Sequence, residues 1–302
     1  MEKIAGQIDS NRDSARPPVL ISSQLKLITF IIFITIVTAC SFKTIYNRLD
    51  YLIPSYVEGM VSLDEMLEEK VEQRTQVLIN WHRNTQLIQY ADLLRVYQQE
   101  FGLQLTEERV LQHMSTMELL WLPLEVKLNE EMAILLPLLN DDQLEELFDS
   151  IDDNNEDFYD EYVDLDDEEL IEEYIDSLLD NYESWLGELT ELQERDVEKA
   201  AYKFHSSAAL RLQHRKNWQH GLREILDSSD DTDIKSERLR AFFKEFNAVP
   251  NVELAAADEA NKQAVAWITV KLVHAANAEK KEYFMNKTDD YIRIFTELAE
   301  NR

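Results

Sequence analysis

Glycine and proline are scarce in this chain, with five Gly and six Pro in 302 residues. Average usage is near 7% and 5%. Tight turns and hairpins lean on these two residues, so the chain is confined to long regular elements with few sharp reversals. Apolar residues recur three and four positions apart, the period of a helix face. One stripe is Leu63, Leu67, Val71, Leu78, Trp81, and a second is Leu87, Ala91, Leu94, Tyr97, Phe101. Further stripes are Val110, Met114, Met117, Trp121, Leu124; then Leu144, Leu147, Phe148, Ile151; then Leu170, Tyr174, Leu178, Tyr182, Trp185, Leu189. No segment sustains the period of two that a strand needs. The expected fold is an all-α helical bundle with long helices, one of them near the middle.

Local signals place the helix ends. Ser62-Leu63-Asp64-Glu65 and Asn140-Asp141-Asp142-Gln143 have the spacing of a capping box. Thr106 is an N-cap candidate followed by Glu107 and Glu108, which suit the helix dipole, although Arg109 stands where Glu or Gln completes the box. Gly102 reads as a helix stop, Pro54 as the opening of a new turn, and Pro123 and Pro137 as kinks or ends. Asp152-Asp153-Asn154-Asn155-Glu156-Asp157 breaks the pattern and predicts a loop. A helix through Lys199 to Arg223 is expected to end at Ser228-Ser229. Three more follow: one carrying Ile234, Leu239, Phe242, Phe243 and Phe246, a long one from about 255 to 284, and a last one capped by Thr288.

Charge bounds the partners. Asp and Glu number 60 against 30 Lys and Arg, a net charge of −30. Phosphate backbones are bound by basic surface, so nucleic acid is not an expected partner. The same charge opposes lying flat on an anionic membrane. Residues 141–198 hold Arg195 as their only Lys or Arg, and the next stretch is basic: Lys199, Lys203, Arg211, Arg215, Lys216, Arg223. Two arrangements are open. The basic stretch folds back along the acidic one, or the acidic face stays free for a cationic partner.

The chain carries no GxSxG, CxxC or phosphate-binding loop. Of six histidines, His205, His214 and His220 fall in one predicted helix, nine and six residues apart. Metal pairs on a helix need three or four. The run from Asp152 lacks the glycine of a calcium loop and has Val163 where the bidentate Glu belongs. No catalytic residue, metal site or cofactor is expected, and the chain reads as a non-enzyme.

A short apolar run, Leu27 to Ala39, follows Lys26 and ends at Cys40, the only cysteine. A membrane-spanning helix needs about 20 apolar residues; this run has the length of a signal-peptide core. Val37-Thr38-Ala39-Cys40 resembles the lipobox of bacterial lipoproteins. The resemblance implies signal-peptidase cleavage between Ala39 and Cys40, lipidation of Cys40, and membrane lipid as a partner through its acyl chains. Each buried methylene contributes about 0.8 kcal/mol to such anchoring. Ser41 follows where an Asp is the inner-membrane retention signal, which implies an outer-membrane address facing the periplasm. An inner-membrane anchor on the periplasmic side is the alternative. The leader before Lys26 carries Glu2, Asp9 and Asp13, unlike a short basic n-region, and suggests a later start at Val19, Leu20 or Leu25.

The expected organisation is a signal peptide over 1–39, a lipid-attachment and juxtamembrane segment over 40–60, and a helical periplasmic domain over 61–302 with an acidic insert around 141–198. In the juxtamembrane segment Tyr46, Leu49, Leu52 and Ile53 repeat at helical spacing. Its tyrosines, Tyr46 and Tyr51, suit either packing into the domain or contact with lipid headgroups. Tyr46-Asn47-Arg48-Leu49-Asp50, Val61-Ser62-Leu63, Trp81-His82-Arg83 and Tyr90-Ala91 resemble an uncharacterised family of Gram-negative lipoproteins, a domain of unknown function. That resemblance implies a lipid-anchored helical protein and assigns no catalytic residues. The helix starts at Leu105-Thr106 and Leu139-Asn140 are more distantly similar to motifs of Spy-type periplasmic chaperones. The expected role is a non-enzymatic binding or structural protein of the cell envelope, with other envelope proteins as partners. A chaperone-like or envelope-stress holdase is the alternative, and an enzyme of unknown type is a third.

Overall fold

The computed structural model describes residues 39–248 and 251–300, and every regular element among them is helical. Lys26, the run from Leu27 to Thr38 with lipobox residues Val37 and Thr38, and the leader lie outside the described residues. The helices are α1 (Ala39–Tyr46), α2 (Leu49–Glu58), α3 (Glu65–Thr85), α4 (Leu87–Glu100), α5 (Glu107–Leu135), α6 (Asp141–Tyr162), α7 (Asp167–Leu186), α8 (Glu191–Ala201), α9 (Ala208–Leu226), α10 (Thr232–Ala248), α11 (Val252–His274) and α12 (Ala278–Glu300). Ala39 and Cys40 thus open α1.

The central α5, about 43 Å long at 1.5 Å per residue, joins two cores. Its first turns pack with α7, α8 and α11 around Val110, Tyr182, Leu186, Val197, Ile268 and Leu272. Its last turns pack with α6, α9 and α10 around Ala133, Phe148, Leu222, Leu226, Leu239 and Phe243. A third core joins α1, α4 and α12 through Tyr46, Leu87, Ala91, Tyr291, Ile294, Phe295 and Leu298. Pro123 does not end α5. It lies on the exposed face beside Leu119 and Leu122, where solvent replaces the lost backbone bond. Pro137 does end the helix, in a short 3₁₀ turn over Leu136–Leu138, and Pro54 sits inside α2 rather than opening a turn.

Several expected boundaries are corrected. The run Asp152 to Asp157 is helix, inside α6. Asp and Asn are weak helix formers, but the apolar stripe continues through it to Phe158, which is 4% exposed, and buried Asn155 exchanges amide hydrogen bonds with Gln219 of α9. Asp64, not Ser62, caps α3 by accepting from the Leu67 N–H. Ser62 instead donates its N–H to Glu146 and accepts from Gln143. The helix expected through Lys199 breaks at 202–207, so His205 lies in a loop, apart from His214 and His220. The last two helices divide at Ala275–Asn277, where Asn277 accepts from the Lys280 N–H. Thr288 is buried within α12 and turns its hydroxyl back to the Phe284 and Met285 carbonyls. The Asn140 capping box and the Thr106 cap form as read.

Two glycines act through geometry. Gly187 ends α7 with φ at 71°, a conformation that costs other residues. Gly221 lies within α9, where a Cβ would come 2.5 Å from the Phe242 ring. Its bare backbone lets α10 approach α9.

Candidate functional site

Residues far apart in sequence converge where α1 meets α3, α4 and α12. Tyr46, at the end of α1, is 5% exposed. Its hydroxyl lies 2.9 Å from His82 Nδ1, and the Tyr90 hydroxyl lies 3.4 Å from His82 Nε2. The Arg83 guanidinium stands over the Tyr46 ring at 5.4 Å. Arg83 Nη2 also donates to Asn47 Oδ1 at 3.4 Å.

A phenol hydroxyl both donates and accepts, so the neutral imidazole bridges Tyr46 and Tyr90 in either tautomer, donating from one ring nitrogen and accepting at the other. Burial drives the His82 pKa down to about 4. Burial raises the Tyr46 hydroxyl against the opposing pull of Arg83, and raises Tyr90 with help from Tyr46. At neutral pH the imidazole and both phenols are therefore uncharged, and both imidazole nitrogens are in use. Such a group holds α1 to α3 and α4.

The clamp extends along α1. Phe42 meets Phe295 edge-on at 5.5 Å and Tyr291 at 6.1 Å, and Lys43 pairs with Glu297 at 2.6 Å. Leu49 packs into the same core. Trp81 is half-buried beside His82, with ring centroids 6.3 Å apart. Asp50 and Tyr51 face solvent. Of the motif residues read from sequence, Tyr46, Asn47, His82 and Arg83 come together, Leu49 and Trp81 flank them, and Asp50 stands apart. Tyr46 is a packing residue and is not available to lipid headgroups; Tyr51, 66% exposed, is. The α12 partners Tyr291, Phe295 and Glu297 carried no sequence signal, because only the fold brings them to α1.

A second polar clip holds α4 to α5. Arg109 grips both oxygens of Glu100 at 2.6 Å, and His113 Nε2 lies 2.8 Å from Glu100 Oε2. The Arg109 hydrogen bonds hold Glu100 below the usual carboxylate range. The Arg109 that spoiled a capping box in the sequence thus serves a different contact.

The basic stretch meets the acidic one in the ion pair of Lys199 with Asp196 inside α8. Arg211 pairs with Asp258 of α11 and Arg223 with Asp227, both partners outside the acidic stretch. The basic stretch packs on α6 through rings: Arg215 lies over Phe158 at 4.4 Å and Arg223 over Phe148 at 4.7 Å. Among the described residues no three His, Cys, Asp or Glu side chains are grouped to hold a metal, and no helix is long and apolar enough to cross a membrane.

A family of unknown function, DUF6279, matches this chain over residues 59–250. No curated protein matches, and no solved structure does.

Proposed function

We propose a role from the geometry, because the chain belongs to the DUF6279 family, whose function is unknown. The protein is a lipid-anchored, non-enzymatic helical protein at the periplasmic face of the outer membrane. Signal-peptidase cleavage after Ala39 leaves Cys40 acylated, and the bundle presents its faces to other envelope proteins. One observation carries the reading. Cys40 is the second residue of α1, and Phe42 and Tyr46 are already locked into the bundle. An acyl chain on Cys40 therefore holds the whole bundle against the bilayer without a tether. A Gly/Ser-rich linker here would leave the bundle free to move; this chain places a clamp.

Metabolic labelling with palmitate tests the anchor. Wild type should incorporate label and partition with outer membranes, and Cys40→Ser should do neither and persist as a longer precursor. Label in Cys40→Ser would overturn the assignment. Label in wild type that fractionates with the inner membrane would keep the anchor and correct the address.

A second reading, a holdase for unfolded chains, draws on the exposed ridge of α5, where Leu119, Leu122 and Val126 are 65%, 51% and 59% exposed. Suppression of aggregation of a reduced client protein, lost in Leu122→Glu, would favour it. Equal aggregation with and without the protein would remove it.

A further inference from the structure

Two arginines on one face of α9, a turn apart, are buried beyond nine-tenths: Arg211 and Arg215 are each 7% exposed. Arg211 is half satisfied. Its Nε donates to Ser207 Oγ at 2.9 Å and its Nη2 to Asp258, but its buried Nη1 has no hydrogen-bond partner. Arg215 is less satisfied still, with Nε and Nη1 both buried and both without a partner. The Phe158 ring takes one side of its guanidinium. A ring face attracts the charge but offers no acceptor to the in-plane N–H groups. Among the described residues no carboxylate pairs with Arg215, and burial alone pushes its pKa down.

This is an anomaly for such a chain. Carboxylates outnumber basic side chains two to one, yet the cluster sets two guanidinium groups against the single carboxylate of Asp258. Burying a charge without a partner is strongly unfavourable, and the donors it leaves unsatisfied are part of that cost. The polar group that meets Arg211 besides Asp258 is the Ser207 hydroxyl. The adjoining loop residues His205 and Ser206 are exposed.

We propose that Arg211 and Arg215 of α9 form a binding site for a phosphate group, free or carried on a lipid. Three unpartnered guanidinium nitrogens, shared between two forks a helical turn apart, offer more donors than one planar carboxylate takes up and suit the several oxygens of a tetrahedral oxyanion. Asp258 and Ser207 hold Arg211 in place, and Phe158 supports Arg215. Arg215 is the residue whose charge the site needs and the fold does not.

The test uses the full chain in detergent micelles and phosphate-free chloride buffer, with thermal unfolding and calorimetric titration as readouts. Inorganic phosphate is one arm, phosphatidate in the same micelles a second, and acetate at matched ionic strength a third. Wild type should be stabilised saturably by one of the two phosphate arms, and the responding arm identifies the source. Arg215→Met should lose that response while remaining at least as stable as wild type without phosphate, because an apolar side chain replaces an unpaired buried charge. Arg215→Lys, which keeps the charge and loses the fork, should bind at least tenfold more weakly. The proposal fails if neither phosphate arm gives a saturable response, if Arg215→Met responds as wild type does, or if acetate matches phosphate.

Discussion

The two ends of the bundle treat buried polar groups in opposite ways. Where α1 docks, Tyr46, His82 and Tyr90 are neutral and hydrogen-bonded through the imidazole, and Lys43 meets Glu297. Where α9 packs, donors on Arg211 and Arg215 go unused although acids outnumber bases two to one in the chain. The first arrangement fixes one conformation. The second leaves charge to be matched from outside. A closed hydrogen-bond network contributes rigidity, whereas an unfinished one marks a place where something else completes the structure.

Four changes probe that contrast, from the largest expected effect to the smallest. Tyr46→Ala removes a buried ring and one end of the network, and should cost about 3–5 kcal/mol by urea denaturation. A change below about 1 kcal/mol would mean that the α1 clamp contributes little. His82 gives a pH signature. Its folded pKa, about 4, lies below the unfolded value of 6.5. Its stabilisation is therefore complete above pH 6.5 and lost as pH falls from 6.5 through 4, by about 3 kcal/mol in all. The stability difference between wild type and His82→Gln should shrink by that order over this window, and a pH-independent difference would contradict the neutral assignment. Gly221→Ala should cost about 1–3 kcal/mol, since Phe242 leaves no room for a methyl group. A stabilised variant in thermal unfolding would show that α10 yields easily. Asp153→Asn, on the exposed side of α6, should shift stability by less than about 0.5 kcal/mol. A larger shift would show that the acidic face is engaged within the fold.

Most of the architecture was legible because helix periodicity and few turn formers admit little else. The Thr106 cap and the Asn140 box were legible because capping is chemistry local to four residues. The errors share a cause. Asp152 to Asp157 looks like a loop by propensity, but Phe158 and Asn155 are buried against α9, and packing outweighs the weak preference of Asp and Asn. Thr288 looks like a cap because threonine hydroxyls seek backbone partners; in α12 the partners are carbonyls one turn back. In the clamp, the motif residues were visible as a group, yet their shared role was not. Phe42, Tyr90, Tyr291 and Phe295 meet only when α4 and α12 pack together, and no local pattern encodes that contact. The surplus charge at Arg215 was hidden for the same reason, since only the fold shows that, among the described residues, no carboxylate reaches it.

The central claim is that α1, which begins at Ala39–Cys40, is part of the bundle and not a tether. Amide hydrogen exchange on the full-length protein in detergent tests it most directly. The amides of α1 that bond within the helix should be protected alongside those of α4 and α12 in wild type. In Tyr46→Ala they should lose protection ahead of α5. Wild-type amides in α1 exchanging at unstructured-peptide rates, while α4 and α12 stay protected, would contradict the account.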